Sequence, residues 1–276
     1  MTYLEFNFKV VPLEVGTEIL IAELGEAGFE SFVENDSGFL AYILKSDFEE
    51  SKLKNLQLLG NAEFAITWSF KEIEQQNWNA EWEKSFNPIR VGDKCMVRAP
   101  FHKPEKVDFD IVIEPKMSFG TGHHETTHMM LQHILDHDFK DKSVLDMGCG
   151  TGILAILAEM KGAKPIEAID IDNWCYLNSI ENVERNNCEH IEVFEGDSRL
   201  LAAKKYDIII ANINRNILMD DIPKYSECLA KEGLLFLSGF YKEDLNIISS
   251  TCNLHALEYS GNLERNDWIA AVYRKS

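Results

Sequence analysis

The sequence predicts an α/β protein in two parts. A doubly wound, largely parallel sheet fills the C-terminal two-thirds, and a smaller α+β domain precedes it. Three observations carry this. From about residue 143, short apolar runs alternate with helical periods, as in a parallel sheet covered on both faces. Before residue 71 the order reads β-α-β-β-α-β, a ferredoxin-like sandwich. A glycine-rich run, D-x-G-x-G-x-G over residues 146–152, sits between the first strand and first helix of the later part, where open α/β sheets bind ligands.

In order, residues 3–10 read as a strand and 16–28 as a helix with Ile19, Leu20, Leu24 and Ala27 on one side. Residues 31–35 and 38–44 form a hairpin around Asn35-Asp36-Ser37-Gly38. A helix is expected over 48–59 and a strand over 62–70. The polar stretch 71–88 carries Trp78, Trp82 and Phe86 at helical spacing and ends at Asn87-Pro88, which predicts an amphipathic linker helix. Strands follow at 94–100 and 108–115, then the alternating series. Within that series Pro223 falls inside a predicted helix. The expected domains are 1–70, a linker and hinge over 71–93, and 94–276.

Composition narrows the function classes. The chain has 276 residues and a net charge of −19. Residues 1–87 hold sixteen acids against six bases and no arginine, so that third carries about half of the excess. Such a surface repels a phosphate backbone and suits a basic partner. No apolar run is long enough to span a bilayer, and the N-terminal residues lack a basic segment followed by an apolar one. Six scattered cysteines without a C-x-x-C pair suit reduced thiols. A cytoplasmic monomer is expected.

The segment that carries chemistry runs from Val144 to Leu154. Glycines there let backbone approach a ligand. The spacing is G-x-G-x-G, with Ile153 where a dinucleotide fold needs its third glycine. Asp146 precedes the loop, and a carboxylate facing it would repel a pyrophosphate but not a cationic or zwitterionic ligand. Asp170 ends the second strand, placed to accept both hydroxyls of a ribose, while Asp172 is the better helix cap. Glu195-Gly196-Asp197 ends the third strand, where a carboxylate could meet an adenine amine. Asn212 closes the apolar fourth strand, out of place unless a ligand uses it.

These motifs together resemble the class I S-adenosylmethionine-dependent methyltransferases. The LDMGCGTG loop and the AIDID and ANIN strand ends stand in that family's order. The resemblance implies a Rossmann-like seven-stranded sheet with a reversed last strand. The run Phe119-Gly120-Thr121-Gly122, with His124, Thr126 and Thr127 after it, is similar to that of the ribosomal large-subunit protein L11 methyltransferases. So are the Trp82…Phe86-x-Pro88 linker and the N-terminal domain. One position departs: Asn173 stands where that family often has proline. The resemblance implies S-adenosylmethionine as cofactor, held by Thr127, Gly148, Asp170 and Asn212. It implies the L11 protein as substrate, held by the first domain, with lysine side chains and an N-terminal α-amine as acceptors. Asn212 is the expected catalytic residue, orienting amine or cofactor. No nucleic acid is required.

A rival motif overlaps this run. His124-Glu125-Thr126-Thr127-His128 matches the zinc pattern H-E-x-x-H. The extended pattern needs glycine at 131 and histidine at 134, where Leu131 and Ile134 stand. No metal site is therefore expected. Methylation of a nucleic-acid amine is disfavoured, because Asn212-Ile213-Asn214-Arg215 lacks the prolines and aromatic residue of those enzymes. A catalytically silent module that binds a ribosomal protein is the alternative from another class.

Overall fold

The computed structural model describes residues 2–74, 86–116, 118–201 and 204–276. The chain divides into two compact units, Met1–Ser85 and Phe86–Ser276.

The first unit contains β1 (Thr2–Val11), α1 (Leu13–Glu26), β2 (Ser31–Asn35), β3 (Gly38–Leu44), α2 (Glu50–Lys54) and β4 (Ala65–Glu74). Its antiparallel sheet has the order β2-β3-β1-β4. Strand period two sends Leu4, Phe6, Phe8 and Val10 to one buried face, where Leu20 and Leu24 of α1 meet them. The helix expected over 48–59 is shorter. It ends at Lys54, and a 3₁₀ turn, Leu58–Gly60, follows. Leu53, Leu56 and Leu58 are all buried. No single helical face holds that spacing, so the backbone leaves the α register, and Glu23 Oε2 accepts the Leu58 N–H at 3.2 Å. β4 pairs with β1 from Ala65 opposite Val11 to Glu74 opposite Thr2, so residues 71–74 are strand rather than helix. The rest of the expected linker helix, with Trp78 and Trp82, lies outside the described residues.

The second unit opens with a three-stranded sheet of β5 (Ile89–Val91), β6 (Cys95–Arg98) and β7 (Phe109–Val112); the sequence reading missed β5, whose three residues are too short for a periodicity. Helix α3 (Glu125–Asp136) follows. The alternating series then gives β8 (Val144–Met147), α4 (Ile153–Met160), β9 (Ile166–Asp170), α5 (Asn173–Arg185) and β10 (Ile191–Glu195). It continues with β11 (Tyr206–Asn212), α6 (Arg215–Cys228), β12 (Leu229–Tyr241), α7 (Leu245–Leu254), β13 (Leu257–Arg265) and β14 (Trp268–Lys275).

The seven-stranded sheet has the order β10-β9-β8-β11-β12-β14-β13, with β14 antiparallel to both neighbours. Its two faces explain the unbroken apolar runs. Val144, Ile208, Ile210 and Phe236 pack with α3 and α4, while Leu145, Ile209, Leu235 and Leu237 pack with α6 and α7. The strand order reverses between β8 and β11. Loops on either side of that reversal part there and leave a crevice at the carboxyl ends.

Candidate active site

A cavity of about 440 Å³ lies at the carboxyl ends of β8 to β12, on the strand reversal. The turn after β8 shapes its floor. Gly148 has φ +69° and Gly150 φ +56°. A Cβ on Gly150 would lie 2.3 Å from the Phe119 carbonyl oxygen, and one on Gly148 would lie 2.2 Å from Ile213 Cγ2. Both conformation and space demand glycine.

Asp170 clamps that turn. Its Oδ2 accepts the Gly150 N–H at 2.8 Å and its Oδ1 accepts the Asp172 N–H at 3.0 Å. Each oxygen keeps a lone pair, and the carboxylate lines the cavity. Asp172 caps α5 by accepting the Trp174 N–H at 2.8 Å. At the end of β10, Gly196, Asp197 and Ser198 form the wall. Arg199 donates to both carboxylate oxygens of Asp197 at 2.8 and 2.9 Å, and these bonds hold its pKa below the usual range. Ser198 donates to Asp221 Oδ1 at 2.6 Å and accepts from Lys224 Nζ at 2.6 Å. Sequence reading missed this network, because nothing local links residues 198 and 221. It also missed Ile171 and Ile217, whose side chains line the cavity while largely exposed.

Asp146 is placed differently from the sequence expectation. Strand parity turns it beneath the turn, toward α4, and it does not line the cavity. Its Oδ2 accepts the Ala155 N–H at 3.1 Å, and its Oδ1 has no partner. Burial, reinforced by the nearby Asp170 charge and opposed by the Ala155 N–H, pushes its carboxyl up to about 7. The charge pattern of the cavity is therefore set by Asp170, Asp197 and Asp221, not by Asp146.

Asn212 stands in the wall at the end of β11. Its Nδ2 lies 3.5 Å from Thr127 Oγ1, and its Oδ1 is buried with no hydrogen-bond partner. Thr127 itself is buried behind Asn212 and does not line the cavity, whereas Thr126 does. Gly148 and Asp170 line the same cavity as Asn212.

The segment 119–124 covers the glycine turn. Thr151 N–H and Oγ1 donate to the carbonyls of Phe119 and Gly120, at 3.0 and 2.6 Å. Asn182 of α5 and Asn186 at its C-terminal cap hold the chain that leads into this segment. Asn186 exchanges two hydrogen bonds with the Val112 backbone, at 2.8 and 2.7 Å, and Asn182 Oδ1 accepts the Glu114 N–H at 2.9 Å.

The H-E-x-x-H residues are otherwise engaged. His124 is the N-cap of α3, its Nδ1 accepting the Thr126 N–H at 3.3 Å. Glu125 accepts from Asn266 Nδ2 at 2.8 Å, a bond that lowers its pKa. His128 is pulled toward neutrality by burial and meets the Arg90 backbone. Among the described residues, no group of three potential ligands converges on one metal position.

The far end of the cavity is aromatic. Asn266 and Asp267, with φ +49° and +65°, make the tight turn between β13 and β14. Trp268 follows at once. A register shift between Ser238 and Phe240 sets Tyr241 directly opposite Trp268, and their rings lie 4.0 Å apart. His124 meets Trp268 edge-on at 4.9 Å and Phe119 at 5.2 Å. Phe119, His124 and Trp268 line the cavity. An Asn-Asp pair before a tryptophan was the sequence signal available here.

The comparisons with known proteins agree with this geometry. The family model described as "Ribosomal protein L11 methyltransferase (PrmA)" matches residues 20–276. A ribosomal protein L11 methyltransferase of Bacteroides fragilis is 47% identical over 278 residues, covering 99% of each chain. One of Bacteroides thetaiotaomicron is 46% identical over 278 residues, again covering 99% of each. The crystal structure of a ribosomal protein L11 methylase from Lactobacillus delbrueckii subsp. bulgaricus aligns with a TM-score of 0.64 at 27% identity, covering 69% of this chain and 100% of that one. With a glycine-floored cavity at the strand reversal and this likeness along its whole length, the chain belongs to the ribosomal protein L11 methyltransferase family of S-adenosylmethionine-dependent enzymes.

Proposed function

We propose that this chain transfers methyl groups from S-adenosylmethionine to amine nitrogens of ribosomal protein L11, on lysine side chains and the N-terminal α-amine. The observation that carries this reading is the unpartnered Oδ1 of Asn212 in the cavity wall, between a carboxylate end and an aromatic end. A buried acceptor without a donor costs about 1–3 kcal/mol, which a ligand N–H would recover once the Asn212 amide turns that oxygen toward the cavity. When bound, the cofactor supplies a methyl carbon on a positively charged sulfur.

The chain's residues divide the remaining work. Asp170 accepts the ribose hydroxyls while it clamps the glycine turn. Ile171 and Ile217 offer apolar walls to the base, and Asp197 and Ser198 offer polar atoms to its edge. Neighbouring strands are about 4.8 Å apart, so Asn212 on β11, two strands from Asp170 on β9, sits about 10 Å away. That offset separates the nucleoside from the acceptor. Asn212 then orients the amine, and Thr127 positions the Asn212 amide from behind.

A free lysine near pKa 10.4 is disfavoured in its neutral, attacking form by about 4.5 kcal/mol at pH 7. The lining residues next to Asn212 in the chain and at the end of the adjacent β8, Ile213, Asn214 and Gly148, include no carboxylate to hold the ammonium form. Partial desolvation there favours the neutral amine, and alignment supplies most of the rest. The acidic first third supports a basic protein partner, and the reading needs no nucleic acid. Steady-state kinetics test the role of Asn212. An Asn212→Ala variant that keeps its cofactor affinity is expected to lose about 10²-fold or more in kcat, as for one lost orienting donor or acceptor. Near-normal kcat would remove Asn212 from the reaction.

A further inference from the structure

We propose that Trp268, backed by Tyr241, is a specificity-determining residue that retains amines already carrying methyl groups and so sets how many methyls one acceptor receives. This rests on the acceptor reading given above. Each transfer changes the nitrogen. The amine lone pair forms the new N–C bond as the C–S bond breaks, and that electron pair leaves with sulfur. The nitrogen becomes a cation, loses one proton to water, and is again a neutral amine with one N–H fewer. A primary amine brings two N–H groups to Asn212, a secondary amine one, and a tertiary amine none. The third transfer yields a quaternary ammonium with no proton left to lose. A site that held the amine through the Asn212 oxygen alone would therefore loosen its grip with every methyl added.

The aromatic end has the opposite preference. A tryptophan face attracts a methylated ammonium by cation–π interaction whether or not the nitrogen keeps an N–H. Trp268 lines the same cavity as Asn212, on β14, two strands from β11. It is half-buried, and its orientation is over-determined. The Tyr241 ring lies tilted against it with centroids 4.0 Å apart, His124 meets it edge-on at 4.9 Å, and the turn before it is tied to α3 through the bond from Asn266 Nδ2 to Glu125. The three carboxylates of the lining, Asp170, Asp197 and Asp221, belong to the nucleoside end. The methylated cation thus meets rings and not a carboxylate of the lining; a π face holds it less strongly than an ion pair would, so the nitrogen can still lose its proton before the next transfer. Asn212 selects the unmodified amine and Trp268 the modified one.

The test compares two acceptors, unmodified L11 and L11 whose amines have been reductively dimethylated, with kcat/KM measured on each. For Trp268→Leu, the ratio of dimethylated to unmodified kcat/KM is expected to fall about tenfold, the effect of one partly desolvated cation–π contact. Trp268→Phe, which keeps a π face, is expected to hold that ratio within about threefold of the wild type. Tyr241→Leu, at an exposed position, supplies a second reading that does not touch the Trp268 backbone. It is expected to lower the ratio by about threefold, less than Trp268→Leu, because the Trp268 face stays in the cavity but loses the ring that backs it. Cofactor affinity and melting temperature report whether each variant is folded. An unchanged ratio in folded Trp268→Leu or, should that variant unfold, in Tyr241→Leu overturns the proposal. So does a wild type that methylates unmodified L11 and ignores the dimethylated form. A wild type that methylates neither acceptor overturns the acceptor reading itself, and this inference with it.

Discussion

Replacing Asp146 by Asn exchanges one oxygen for an NH₂ group and leaves the acceptor that the Ala155 N–H uses. The wild-type carboxyl is buried, with Oδ1 unpartnered, and its folded pKa is pushed up to about 7. In the unfolded chain it lies near 3.9. The sign follows from linkage. Protonated Asp146 suits the folded state, so stability is highest below the unfolded pKa. It is lost as pH rises, because the unfolded chain ionises first, and the loss is complete above the folded pKa. The separation of about 3 pH units corresponds to about 4 kcal/mol at pH 8 and about 1–2 kcal/mol at pH 5. Asn does not titrate. The stability of Asp146→Asn relative to wild type should therefore grow by about 2–3 kcal/mol between pH 5 and pH 8. Any cost of an unpartnered NH₂ is the same at both pH values and cancels. Urea denaturation at the two pH values, read through hydrogen exchange of β8 and β11, measures the second unit alone. Parallel pH profiles for the two proteins would refute the reasoning, since they would mean that Asp146 is already ionised in the folded state.

Other outcomes follow from the same geometry. Asp170→Asn should weaken S-adenosylmethionine binding about 10- to 100-fold in calorimetry, the range of hydrogen bonds to a charged group; a change below threefold would contradict the ribose assignment. Gly150→Ala places a Cβ 2.3 Å from the Phe119 oxygen at φ +56°, and should cost about 2–4 kcal/mol in a urea titration, left-handed strain plus overlap. Dialysis against EDTA should leave methyl transfer unchanged, because His124 and Glu125 are held by Thr126 and Asn266; activity lost to EDTA and restored by zinc would revive the H-E-x-x-H reading.

Much of the fold was legible because its signals are local. The hairpin at residues 31–44, the glycine turn after β8 and the apolar alternation beyond residue 143 each announce themselves within a few residues. The errors share a cause as well. Helix α2 stops early because three leucines must reach one core from different directions, and β4 runs on because β1 offers a ten-residue template. Both depend on distant partners. The candidate site divides in the same way. Gly148 follows β8, Asp170 and Asn212 end β9 and β11, and all three stand out in the sequence. Asp146 reads as a ligand-facing charge until strand parity turns it under α4. The aromatic end is built by a register shift in β12 and a turn at residues 266–267, and no local pattern links Tyr241, Trp268 and His124.

In the proposed reading, this cavity aligns an amine of a protein with the methyl group of S-adenosylmethionine. Incubating the purified chain with isotopically labelled S-adenosylmethionine and unmethylated ribosomal protein L11, then mapping the label by mass spectrometry, tests it most directly. The account predicts label on lysine side chains or the N-terminal α-amine of L11. No label on L11, with intact cofactor and folded substrate, or label confined to atoms other than amine nitrogens, would contradict it.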